Sequence, residues 1–97
     1  MKIKWSELAL QDLDQAVDYM CRGTPMPGQH VARQILNAAE TLAANPAQGQ
    51  AGRINGTQEW VINGTPFIMA YRARGDAFEV LRIVHAMQAW EERGGAG

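Results

Sequence analysis

The sequence predicts an α+β fold ordered β-α-α-β-β-β: a mainly antiparallel sheet of about four strands, with a helical hairpin packed on one face. Three observations predict it. Two stretches carry apolar residues at three- and four-residue spacing, joined by a loop rich in proline and glycine. Three short strand-like runs follow, separated by tight-turn residues. A charged–apolar alternation opens the chain, as in a strand with one buried face.

The elements follow in order. "KIKW" (2–5) reads as a short strand that joins an edge of the sheet. Ser6 is a good N-cap for the helix that follows. Ala9, Leu10, Leu13, Ala16, Val17 and Met20 mark the apolar stripe of a helix of about 15 residues. Glu7, Asp12 and Asp14 lie near its positive N-terminal end. "RGTPMPG" (22–28) ends it. Val31, Ile35, Ala38, Ala39 and Leu42 mark a second helix over roughly 27–44. Asn45-Pro46 stops that helix, because a residue before proline resists the helical region. Residues 47–57 read as a loop. "QEWVI" (58–62) is the next strand, and Asn63-Gly64 after it is a strong hairpin signal. "PFIMAYRA" (66–73), "RGD" (74–76) and "AFEVLRIVH" (77–85) complete a meander. Residues 86–93 read as a short C-terminal helix and 94–97 as a flexible tail, so one domain is expected over 1–93.

Composition narrows the function. The chain is 46% hydrophobic and 20% charged, which suits a folded globular domain rather than a disordered one. Its net charge is −1, and neither half is a basic block. That weighs against broad nucleic-acid binding, which needs a positive excess. One cysteine, Cys21, excludes an intramolecular disulfide and fits a reducing compartment, so a cytoplasmic protein is expected. No signal-peptide pattern is read at the start, and no apolar run approaches the ~18 residues of a membrane span. No metal-ligand spacing, Walker loop or dinucleotide fingerprint is present, so no metal or cofactor is expected.

The polar residues on or beside the meander are Arg53, Glu59, Arg72, Arg74, Arg82 and His85. Two readings apply. In a catalytic one, His85 and Glu59 act as acid and base while Arg72 and Arg82 hold a phosphate. In a structural one, Glu59 pairs with Arg72 or Arg82 across neighbouring strands, and His85 bonds to backbone. Trp60 and Trp90 mark an apolar open sheet face that needs a partner, unless they belong to the core.

Taken together, "WSELALQDLDQAVDYM", "LAANPAQGQAGR", "GRINGTQEWVINGTPFIMAYR" and "FEVLRIVHAMQAW" resemble, in that order, the ParE branch of the RelE/ParE superfamily of type II toxin–antitoxin modules. The resemblance covers nearly the whole chain and implies the same β-α-α-β-β-β fold. It implies a toxin neutralised by a cognate antitoxin in a hetero-oligomer. ParE-like members inhibit DNA gyrase by binding; RelE-like members are ribosome-dependent mRNA endonucleases. The endonuclease members carry basic residues where this chain has Thr65-Pro66 and Met87-Gln88, which favours the gyrase-directed branch. Gln58 stands where the family pattern has arginine, so an inactive antitoxin-binding remnant is a third alternative. Arg53, Trp60, Arg72, Arg82, His85, Met87, Gln88 and Trp90 are the expected target- or antitoxin-binding residues. In the endonuclease alternative, His85, Glu59, Arg72 and Arg82 are catalytic.

Overall fold

The computed structural model describes residues 1–23 and 27–87. The elements are β1 (Lys2–Trp5), α1 (Glu7–Gly23), α2 (Gly28–Ala44), a 3-10 turn (Pro46–Gln48), β2 (Gln50–Ala51), β3 (Gln58–Val61), β4 (Phe67–Arg74) and β5 (Ala77–His85). The sheet has five strands in the order β1-β5-β4-β3-β2. β1 runs parallel to β5, and every other pair is antiparallel. Helices, hairpins and meander therefore stand as the sequence predicts, and the strand count is corrected from about four to five.

The added strand lies inside the segment read as a loop. Gln50 and Ala51 pair with Glu59 and Gln58 because Tyr71 anchors the chain before them. The Tyr71 hydroxyl donates to the Pro46 carbonyl at 2.6 Å and accepts from the Gly49 amide at 3.0 Å. Only glycine fits at 49, since a Cβ there would sit 2.1 Å from that hydroxyl. A two-residue strand set by a distant tyrosine leaves no periodicity to read.

Ser6 caps α1 as expected. Its Oγ accepts from the Ala9 amide at 3.0 Å and donates to the Leu81 carbonyl at 2.9 Å, so one side chain starts the helix and ties it to β5. α2 ends at Ala44, where the Asn45 amide bonds back to the Leu42 carbonyl. Gly64 and Gly75 adopt φ of +78° and +63°, which places the hairpin turns where tight-turn residues predict them.

The core lies between the helices and one sheet face. Ala9 and Ala16 of α1 and Val31, Ile35, Ala39 and Leu42 of α2 pack on Phe67, Met69, Tyr71, Phe78, Val80 and Ile83. Alternation then fixes the other face. Ile68, Ala70 and Arg72 of β4 point away from the helices. A bulge between Ala70 and Tyr71 places Tyr71 opposite Val80 and Ala70 opposite Arg82. No helix of the described residues is long and apolar enough to cross a membrane.

Candidate functional site

The polar residues of the meander separate onto the two sheet faces. Glu59 lies opposite Ala70, and Ala70 opposite Arg82, so this row belongs to the face away from the helices. His85 lies opposite Phe67, on the helix face. Its ring meets Phe67 edge-on at 5.5 Å and Tyr19 of α1 at 5.3 Å. His85 and Glu59 therefore point to opposite sides of the sheet and do not form an acid–base pair. The Nδ1 of His85 accepts from the Met87 amide at 3.2 Å. Met87 itself is exposed.

The arginines are held by carboxylates other than the expected Glu59. Arg72 stands directly opposite Glu79 on β5, and its Nε donates to Oε1 at 2.5 Å. Arg74 reaches the other Glu79 oxygen at 3.4 Å. The Arg72 hydrogen bond, reinforced by the charges of Arg72 and Arg74, holds the Glu79 carboxyl below its ordinary value against the opposing effect of desolvation. Arg82 binds Asp12 of α1 through Nε at 2.7 Å and Nη2 at 3.1 Å. The same Asp12 oxygen that takes Nε accepts the Ile83 amide at 3.0 Å. Beyond Val80, where pairing with β1 ends, α1 thus satisfies the edge of β5 with a side chain in place of a strand.

The expected pairing of Glu59 with Arg72 or Arg82 is corrected for a geometric reason. Glu79 is the immediate cross-strand neighbour of Arg72, and Asp12 offers Arg82 a two-point contact. Glu59 instead accepts from the Arg53 backbone amide at 3.0 Å, which closes the β2–β3 connection. Of the two readings of Trp60, the core one holds. It lies opposite Met69 and packs against the core, so it does not mark the open face. On that face Val61, Ile68 and Val84 form one row across β3, β4 and β5, with Val61 exposed and Ile68 buried. The expected C-terminal helix begins at 86–87; its remainder, with Gln88 and Trp90, lies outside the described residues.

Asp12 and Glu79 carry the electrostatics of this sheet, and neither was expected as a site residue. Asp12 carried a signal. It falls on the buried stripe Ala9-Asp12-Leu13-Ala16, where an acid needs a partner, although its place near the helix N-terminus also suits the helix dipole. No group of three or more potential metal ligands occurs among the described residues.

Residues 3–90 match the family profile described as ParE toxin of type II toxin–antitoxin system, parDE. The Sinorhizobium fredii protein Y4kP, provisionally named a toxin, is 36% identical over 91 residues, covering 94% of each chain. Toxin RelE2 of Caulobacter vibrioides is 27% identical over 85 residues, covering 88% of this chain and 94% of its own. A structure of the chromosomal ParDE toxin–antitoxin system from P. aeruginosa superposes with a TM-score of 0.76 at 25% identity, over 88% of this chain and 95% of the other. A YafQ mutant from E. coli shares the fold, with a TM-score of 0.56 at 16% identity, over 89% and 93% of the two chains.

Proposed function

From the premise that the chain belongs to the ParE toxin family of type II toxin–antitoxin systems, we propose that it arrests growth by binding and inhibiting DNA gyrase in the cytoplasm. An antitoxin partner follows from the family. One observation supports gyrase as the target: among the described residues the groups a nuclease needs are not assembled. His85 and Glu59 occupy opposite faces of the sheet, and the guanidinium groups of Arg72 and Arg82 already serve Glu79 and Asp12. General acid–base cleavage of RNA needs a base and an acid within hydrogen-bond reach of one phosphate. The balance of 9 basic against 10 acidic residues supports the same reading, because a chain that grips ribosomal RNA or mRNA through phosphates needs a positive excess.

The likeness to Toxin RelE2 keeps a second reading, a ribosome-dependent mRNA interferase using His85. The two separate on expression without antitoxin, with DNA and protein synthesis followed independently. Gyrase inhibition halts DNA synthesis first and spares translation at the outset. Early loss of translation with intact DNA synthesis overturns the proposal, and unchanged growth identifies an inactive antitoxin-binding remnant.

A further inference from the structure

The four residues Ile-Asn-Gly-Thr occur twice, at 54–57 and at 62–65, on either side of β3. Both copies form the same turn. The Thr57 amide donates to the Ile54 carbonyl at 3.1 Å, and the Thr57 hydroxyl donates to the same oxygen at 2.6 Å. The Thr65 amide and hydroxyl reach the Ile62 carbonyl at 3.1 and 2.9 Å. Gly56 and Gly64 have φ of +86° and +78°, and neither asparagine has a positive φ, which is the type II pattern. Asn55 and Asn63 are both exposed. Among the described residues neither glycine amide donates a hydrogen bond.

An asparagine followed by glycine carries its own reactive pair, because no side chain shields the glycine nitrogen. That nitrogen gives its proton to hydroxide and bonds to the side-chain carbonyl carbon of the asparagine. The carboxamide C–N bond breaks, and the leaving nitrogen takes a proton from water and departs as ammonia. The succinimide that remains takes up one water. Either of its two C–N bonds opens, giving aspartate or isoaspartate.

The turn itself opposes ring closure equally in both copies. In type II geometry the asparagine ψ lies near about +120°, which points the glycine nitrogen away from the carboxamide. Closure requires the Asn–Gly peptide plane to rotate, and this opens the turn. What surrounds each turn then sets the cost. Ile62 is 1% exposed and belongs to the core cluster. Its amide donates to the Phe67 carbonyl at 2.9 Å, and the Phe67 amide returns to the Thr65 hydroxyl at 3.1 Å. The Asn63 carbonyl, part of the plane that must rotate, also accepts from Gln34 Nε2 of α2 at 3.5 Å. The first copy is held far less. Ile54 is 54% exposed, and a Cβ at Gly56 would meet no atom within 4 Å. The bond from the Gly52 amide to the Thr57 carbonyl at 2.8 Å lies outside the plane that rotates.

We propose that Asn55 is a site of spontaneous deamidation in the folded chain, and that the fold shields its duplicate, Asn63. Conversion puts a carboxylate two residues from Arg53 and takes the net charge from −1 to −2. The isoaspartyl product also adds a methylene to the backbone of a four-residue turn. This chemistry does not depend on gyrase being the target.

The test holds the purified full chain at neutral pH and warm temperature, once folded and once unfolded in guanidinium chloride. Both asparagines lie in one tryptic peptide, 54–72, so its fragment ions report the one-dalton gain at each. In the folded chain Asn55 converts at least about tenfold faster than Asn63. In the unfolded chain, where the two copies share their neighbours, the rates agree within about twofold. Equal rates in the folded chain, or faster loss of Asn63, overturn the proposal. So does an Asn55 that stays intact when folded and converts only when unfolded. A tenfold ratio that survives unfolding overturns it too, because residues beyond the turn would then set the rates without the fold.

Discussion

Arg82 of β5 and Asp12 of α1 form a two-point ion pair, with Nε–Oδ2 at 2.7 Å and Nη2–Oδ1 at 3.1 Å, that joins the last strand to the first helix. Asp12 also takes the Ile83 amide, so one carboxylate satisfies a side chain and a strand edge together. Asp12→Ala leaves the buried Ile83 amide without this acceptor and removes the two-point contact to Arg82. Because the Arg82 side chain is 41% exposed, water recovers part of that loss. The expected destabilisation is about 2–3 kcal/mol, read from chemical denaturation. Asp12→Asn keeps an acceptor for Ile83 and loses about half as much. Equal losses for the two variants contradict this division of labour.

Glu79 contributes to stability on the acid side. Its folded pKa lies below its ordinary value of 4.5, so the folded state binds this proton more weakly than the unfolded chain. The stabilisation is complete above the unfolded value and is lost as pH falls through the lower folded one. Denaturation midpoints of Glu79→Gln and the parent should converge as pH drops below 4.5 and separate above it. A gap that stays constant with pH contradicts the linkage.

Tyr71 works at the other end of the scale. Burial raises its phenol above the ordinary 10.0, opposed by the Gly49 hydrogen bond. Its stabilisation is present below pH 10.0 and fades as pH rises through the higher folded value. Tyr71→Phe removes both hydroxyl contacts, at a cost of about 1–3 kcal/mol. Gly49→Ala drives a methyl into the same hydroxyl. The same Cβ would also lie 2.8 Å from Cζ of the ring, so the hydroxyl accounts for only part of the clash and the double variant should lose somewhat less than the two single losses combined. Additive losses in this cycle would show that the clamp is not shared.

His85 packs in an aromatic cluster with Tyr19 and Phe67, and the gyrase proposal gives it no catalytic part. His85→Ala should therefore leave toxicity within about tenfold of the parent once stability is matched, far less than the 10²–10⁴-fold contribution of a general acid or base. A variant that grows normally while folded would return His85 to a chemical role.

What the sequence disclosed follows from the range of each interaction. The helices, both hairpins and the Ser6 cap rest on neighbouring residues, and their spacing is visible along the chain. β2 depends on Tyr71, 22 residues beyond Gly49, and carries no pattern of its own. The ion pairs failed for a similar reason. Arg72 and Glu79 are joined by strand register, and Arg82 and Asp12 by packing 70 residues apart. The acid in the apolar stripe of α1 was the legible trace of the second pair. Face assignment was the largest gap: the bulge at Ala70/Tyr71 resets alternation between β4 and β5, and only the register reveals that His85 and Glu59 are divided by the sheet.

On the proposed function this toxin acts by binding gyrase and not by cutting RNA. The most direct measurement is supercoiling by purified gyrase as the purified chain is added, with and without the antitoxin. The account predicts dose-dependent loss of supercoiling, accumulation of cleaved DNA and reversal by the antitoxin. Full supercoiling at saturating chain, together with codon-phased mRNA cleavage on translating ribosomes, would contradict it.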